Sequence, residues 1–204
     1  AKPRAEVLGV DFSASTLAYA ERMRQEYGVK NISYQQGDIM AMDTLEPEQF
    51  EIVECAGVIH HIDNYRKAFK ILRDLTKPGG LLRIGVYSKT ARERSVPHAQ
   101  ELIKKHGYRP DIDGIREARQ KVMSAPIPAI RSMAQSPDFY SMNARYHIFD
   151  MDEHWFTIAE IQDILQELNL TFKGFNLRSP RDMEKFKARF SENADPTDFA
   201  QWDI

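Results

Sequence analysis

Apolar residues in this chain recur with two periods that alternate along its length. Glu6 to Val10 is a short apolar run closed by Asp11 and reads as a strand. After Ser13, a residue type that starts helices, Leu17, Ala20, Met23 and Tyr27 fall three or four apart until Gly28 stops the pattern. Asn31 to Gln35 is a second strand, ending at Gly37-Asp38. Phe50 to Ala56 is a third, nearly continuous in apolar character, as a buried central strand of a parallel sheet should be. A loop with His60 and His61 follows. Asp63 or Asn64 then caps a helix whose Tyr65, Ala68, Phe69, Leu72 and Leu75 share one face. Lys77-Pro78-Gly79-Gly80 predicts a turn, because Pro presets φ and Gly accepts positive φ, and it feeds a strand over Leu81 to Val86. This order of strands and helices predicts an α/β fold with a mostly parallel sheet covered by helices.

From Lys89 to Phe156 the alternation is lost, and Pro97, Pro110, Pro126, Pro128 and Pro137 divide short helical patches. The expectation is a helical insertion or lid over one end of the sheet. Thr157-Ile158-Ala159-Glu160 is a capping-box sequence, followed by the stripe Ile161, Ile164, Leu165 and Leu168 and a strand over Thr171 to Leu177. Residues from Arg178 onward read as a surface helix and a loose end. The whole is one domain over 1–204, divided at 88 and 156.

With 204 residues, 42% of them hydrophobic and 28% charged, the chain can bury one core, which excludes collagen-like, mucin-like and disulfide-scaffold classes. Its 28 basic and 30 acidic residues form no basic block, so a partner gripped through a nucleic-acid backbone is not expected. No run approaches the ~20 apolar residues of a membrane span, and no signal-peptide pattern opens the sequence, so a cytoplasmic location without membrane contact is expected. The single cysteine, Cys55, sits in an apolar strand and reads as a core residue.

Candidate chemistry clusters at the ends of strands. Asp11, at the carboxyl end of the first, is placed either to accept hydrogen bonds from the two hydroxyls of a nucleotide ribose or to cap the helix beside Ser13. Asp38 ends the next strand. It could accept from the exocyclic amine of adenine, with the backbone N–H of Ile39 meeting a ring nitrogen, or simply shape a Gly-Asp turn. His60 and His61 follow the third strand, where a neutral imidazole can take a proton from a nucleophile; loop packing and helix capping are the alternative. His147, Asp150, Asp152, Glu153 and His154 do not have a usual zinc spacing and read as a solvated loop, so no metal is expected. Tyr140, with Phe139, Tyr146, Trp155 and Phe156, is either part of a core or of a lid over a substrate.

Four segments then stand in register: Val7-Leu8-Gly9-Val10-Asp11-Phe12-Ser13; Gln36-Gly37-Asp38-Ile39; Phe50-Glu51-Ile52-Val53-Glu54 with Gly57-Val58-Ile59-His60-His61-Ile62; and Leu72-Arg73-Asp74-Leu75-Thr76-Lys77-Pro78-Gly79-Gly80-Leu81. Together they resemble class I S-adenosylmethionine-dependent methyltransferases. Asp138-Phe139-Tyr140-Ser141-Met142, Glu153-His154-Trp155-Phe156-Thr157 and Phe172-Lys173-Gly174-Phe175 resemble a bacterial subgroup in which this domain often follows tetratricopeptide repeats.

The resemblance implies a Rossmann-like sheet, S-adenosylmethionine as cofactor, and methyl transfer to an acceptor that is a small molecule or a protein. It places Asp11 on the ribose, Phe12 against the adenine, Asp38 and Ile39 at the adenine edge, and the backbone of Glu54, Cys55 and Ala56 beside the methionine part, all within a cofactor-binding part over 1–88. His60, His61 and Tyr140 are left for the acceptor side. The family's glycine-rich loop and first strand would precede Glu6, and its last strand would follow Ile204. The expectation is therefore a domain cut at both ends, with a tetratricopeptide region in the parent chain. Two other readings compete. A nicotinamide dehydrogenase would also use an acid at Asp11 but does not account for the turns at Gly37 and Pro78. A degenerate methyltransferase-like module would serve only for binding or as a scaffold.

Overall fold

The computed structural model describes residues 5–135, 137–140, 149, 153–177 and 179–202. Its contacts divide the chain into two units, Ala1–Glu54 with Arg66–Arg83 and Cys55–Tyr65 with Ile84–Ile204.

In the first unit, β1 (Val7–Asp11) pairs in parallel with β2 (Ile32–Gln36), from Val7 opposite Ile32 to Asp11 opposite Gln36. Between them runs α1 (Ala14–Glu26), capped by the Ser13 hydroxyl, which accepts from the Thr16 N–H. It ends as the sequence predicts: Gly28 takes φ +64, and the Gly28 and Val29 amides close back on Gln25 and Arg24 carbonyls. The unit also holds most of β3 (Phe50–Ala56), β4 (Thr76–Gly85) and α2 (Tyr65–Leu75). Ala68, Phe69, Ile71, Leu72 and Leu75 of α2 are buried, and Lys67 pairs with Asp43 at 2.8 Å.

β3 and β4 form a second two-stranded sheet. Gly80 lies against Glu51, Arg83 pairs with Glu54 and Gly85 lies against Ala56, so the partners advance together and the strands run the same way. β4 starts earlier than the predicted strand and absorbs the Lys77–Gly80 turn. A side chain at Gly80 would stand 2.8 Å from the Glu51 carbonyl oxygen, so only glycine lets the turn residues join the ladder this closely. The reading of Phe50–Ala56 as a buried central strand is corrected: Cys55 alone is buried, and Ile52 is 64% exposed. A strand is buried on both faces only between neighbours and under helices, and among the described residues β3 has β4 as its single ladder partner.

In the second unit the region expected to be a helical insertion holds, among the described residues, α3 (Lys89–Glu93), α4 (Val96–His106), α5 (Ile112–Met123) and α6 (Pro128–Ser132). Pro97 and Pro128 occupy first-turn positions, where a missing N–H costs nothing, so they start helices instead of breaking them. Ala99, Ile103, Ile115, Ala118, Val122, Ala125, Ile130 and Phe139 form one buried cluster. Then α7 (Ile158–Glu167) opens with the predicted capping box, Thr157 and Glu160 bonding reciprocally.

The predicted strand over Thr171–Leu177 is absent. Gly174 takes φ +118, and Phe172 and Phe175 turn instead into an aromatic cluster with Phe199 and Trp202. Nor are the described residues up to Trp202 a loose end. Trp202 stacks on Phe186 of α8 (Pro180–Phe190) at 4.1 Å and donates to the Pro196 carbonyl at 3.0 Å. No helix among the described residues is long and apolar enough to cross a membrane.

Candidate functional site

Parallel pairing brings two carboxylates to one edge of the first unit. Asp11 is the last residue of β1 and lies opposite Gln36, and the Gly37 N–H donates to the Asp11 carbonyl at 3.1 Å, so Asp38 follows directly beside it. Each carboxylate shapes its own turn through one oxygen. Oδ1 of Asp11 accepts from the Ser13 N–H at 2.7 Å, and Oδ1 of Asp38 accepts from the Met40 N–H at 2.8 Å, starting a 3-10 turn over Ile39–Thr44. Both local turn roles are thus real, and among the described residues each Oδ2 is left without a partner to accept a further donor. Phe12 follows Asp11 with its ring 76% exposed, while its carbonyl accepts from the Gln36 side chain at 3.0 Å. Ile39 is half-buried. Glu54 is exposed and ion-paired with Arg83.

The second unit holds the histidines. A 3-10 turn over Ile59–His61 buries Ile59 and His60 and leaves His61 exposed. Segment 153–157 runs alongside: the His154 N–H donates to the His60 carbonyl at 2.8 Å, the Phe156 N–H to the Tyr87 carbonyl at 2.9 Å, and the Lys89 N–H to the Phe156 carbonyl at 2.9 Å. The His60 ring lies 4.3 Å from that of His61 and 4.0 Å from that of Tyr87, and the Arg92 guanidinium lies over the Tyr87 ring, 3.6 Å from its centroid. Arg92 in turn meets Glu153, with Nη2 donating to Oε2 at 3.1 Å and Nε 2.9 Å from Oε1, while Trp155 Nε1 donates to Oε1 at 2.8 Å. The Glu153 side chain is 2% exposed.

Reading Glu153 and His154 as part of a solvated loop is therefore corrected. His154 stacks on Tyr65 at 4.4 Å and contacts Glu160 through Nε2 at 3.0 Å. His147, Asp150 and Asp152 lie outside the described residues. Tyr87, Arg92 and the Glu153 contact were not legible in the sequence, because Arg92 and Glu153 are 61 positions apart and neither lies in a motif.

Cys55 is buried, and burial pushes its thiol above the ordinary range against a smaller opposing effect of a backbone hydrogen bond at Ile59. Ala56 lies against Gly85. Tyr140 is 58% exposed beside the fully buried Phe139, so the ring assigned to a lid or a core belongs to the surface of this unit and its neighbour to the core.

A family model for a methyltransferase domain matches residues 1–115, which include both carboxylates, the histidine turn and α4. The chain belongs to this methyltransferase-domain family. An uncharacterized protein of Synechococcus is 29% identical over 86% of this chain and 44% of its own length. A ubiquinone biosynthesis O-methyltransferase of Acinetobacter baumannii is 30% identical over 39% of this chain and 34% of its own length. Among solved structures, PKMT2 from Rickettsia typhi, determined in complex with AdoHcy, aligns over 98% of this chain and 41% of that chain with a TM-score of 0.66 and 16% identity, a likeness of fold. The chain thus spans less than half the length of each of these relatives.

Proposed function

We propose that this chain carries the catalytic part of an S-adenosylmethionine-dependent methyltransferase. The observation that carries this reading is the pair of carboxylates, Asp11 and Asp38, at adjacent carboxyl ends of parallel strands, each with an oxygen left to accept a donor. A nucleoside presents that pattern of donors: a ribose diol for Asp11 and an exocyclic amine for Asp38, with Phe12 offering an open aromatic face to the purine. The residues present fit the cofactor. When bound, it supplies an electrophilic methyl group on a sulfonium that departs as a neutral thioether.

The protein's part is to orient the acceptor and accept its proton. His61 is exposed on a turn held by buried Ile59 and His60, and its imidazole takes the proton from an acceptor O–H or N–H as the acceptor's electron pair forms the new bond to carbon. His60, wedged between His61 and Tyr87, is a positioning residue. The acceptor is a small molecule or a protein side chain, and Tyr140 contacts it from the helical region.

The test uses the full-length protein with methyl-labelled cofactor and fractionated cell extract. Label passes to an acceptor fraction with the native protein, falls by about 30-fold or more with Asp11→Ala at limiting cofactor, and falls by about 10²-fold or more with His61→Ala. Cofactor binding without transfer to any fraction would instead favour a degenerate binding module. Transfer unchanged in His61→Ala would remove the base role.

A further inference from the structure

We propose that His60, His61 and Glu153 bind one divalent transition-metal cation, with zinc as the natural occupant. Each offers one donor atom, and these atoms lie within 4.8 Å of one another. Ligands bound to a single tetrahedral ion at ~2.0–2.1 Å stand about 3.3 Å apart, so small side-chain rotations close the set around an ion. The inference does not depend on the methyl-transfer reading, because it rests on the donor set alone.

The backbone holds these donors in place. His60 and His61 are adjacent on a 3-10 turn whose Ile59 is fully buried, and the His61 N–H donates to the Val58 carbonyl at 3.0 Å. The hydrogen bond from His154 N–H to the His60 carbonyl, 2.8 Å, fixes segment 153–157 against that turn and sets Glu153 beside the imidazoles. The Glu153 carboxylate is held by the Arg92 guanidinium, which meets both of its oxygens, and by Trp155, which donates to Oε1, so its position is fixed and a cation must share it with the guanidinium. Oε1 meets both Trp155 Nε1 and Arg92 Nε, while Oε2 accepts from Arg92 Nη2, so Oε2 is the oxygen with a second lone pair to offer a cation.

Two imidazole nitrogens with one carboxylate oxygen select zinc and its first-row neighbours over calcium and magnesium, which require oxygen donors. The nearby Arg92 charge opposes a dication, so the site is weaker than the same triad without a guanidinium. His61 is exposed, which gives the ion a way in and leaves a coordination position open to water or substrate, the arrangement of catalytic rather than structural zinc sites. A filled site would compete with the proton for the lone pair of His61. Metal binding and general-base action at that residue are therefore alternatives that one titration separates.

The experiment is a Co²⁺ titration of the chelator-treated full-length protein, followed by visible d–d absorption and then by displacement with Zn²⁺. The site predicts saturation at one equivalent, loss of the band on Zn²⁺ addition, and affinity reduced by at least about 100-fold in His61→Ala and in Glu153→Gln, since removing a ligand costs more than the roughly 10- to 100-fold typical of an outer-shell partner. His106→Ala, a histidine bonded to the Leu102 carbonyl on α4, leaves binding unchanged. Should Glu153→Gln disturb folding through Arg92, as judged by circular dichroism and the metal-free melting temperature, exposed His61→Ala carries the test. Absence of a saturable band, or a band that persists unweakened in His61→Ala, overturns the proposal.

Discussion

Replacing Phe139 by Ala tests whether the helical region is a packed body in its own right. Phe139 is 1% exposed and closes a cluster formed by α4, α5 and α6. A buried aromatic side chain removes about 150–250 Å² from water, which at ~25 cal/mol per Å² is about 4–6 kcal/mol. Measured truncations of this kind, cavity included, cost about 3–5 kcal/mol, and the site can relax only partly because small Ala99, Ala118 and Ala125 line it. The expected loss is therefore about 4 kcal/mol.

Tyr140→Ala removes a ring that is 58% exposed and meets Phe139 edge-on at 5.2 Å, so its expected cost stays below about 1 kcal/mol. Native-state hydrogen exchange of α4 and α5 amides in the full-length protein reads both variants. Phe139→Ala should accelerate exchange by up to about 10³-fold, and Tyr140→Ala by less than about tenfold. Equal effects of the two, or a Phe139→Ala cost below about 1 kcal/mol, would refute this packing. With Tyr140 on the acceptor side, Tyr140→Ala also raises the acceptor KM while leaving cofactor affinity unchanged.

Glu160→Gln keeps a capping-box side chain but removes the charge near the helix N-terminus, and should cost about 0.3–1 kcal/mol. Burial raises the Glu160 pKa, but hydrogen bonds from the Thr157 backbone and hydroxyl and from His154 outweigh it and hold the carboxyl below its usual value of 4.5. The folded pKa is thus the lower one, so the contribution is complete above the unfolded pKa and vanishes as pH falls through the folded one; melting curves of the two proteins should converge in acid. Cys55, buried with a raised pKa, should resist alkylation in the native protein and react after denaturation, as mass spectrometry would show. Gly114→Ala puts a methyl group 2.1 Å from the Arg109 carbonyl oxygen and should lower the melting temperature by an amount corresponding to about 1–3 kcal/mol.

Local signals were read well from the chain. Ser13, Gly28, Thr157 and Glu160 act as caps because such motifs are settled within a few residues of sequence. The carboxylates were legible for the same reason: Asp11 closes β1 and Asp38 follows the end of β2 by two residues, and each begins a turn, so its position follows from local pattern. Burial was not legible, because whether Ile52 is covered depends on which strands flank β3, and its own apolar character is silent on that. The helical character of the region after Lys89 was legible, whereas the boundaries of its helices were not. Its prolines look like breaks along the sequence, yet their meaning depends on register within a helix, and Pro97 and Pro128 sit where they begin one. The contacts of His60 and His61 with Tyr87, Arg92 and Glu153 arise only when segment 153–157 folds back beside the turn, a long-range pairing that no spacing encodes.

Isothermal titration of the full-length protein with S-adenosylmethionine tests the central claim most directly. The account predicts one equivalent bound and a loss of about 2–4 kcal/mol, roughly 30- to 700-fold in Kd, when Asp11→Ala removes two charge-assisted hydrogen bonds to the ribose. Asp11→Asn, which keeps an oxygen for the Ser13 N–H, should preserve the melting temperature and still weaken binding, separating ligand contact from turn formation. No binding by the native protein, or native affinity in both Asp11 variants, would contradict the account.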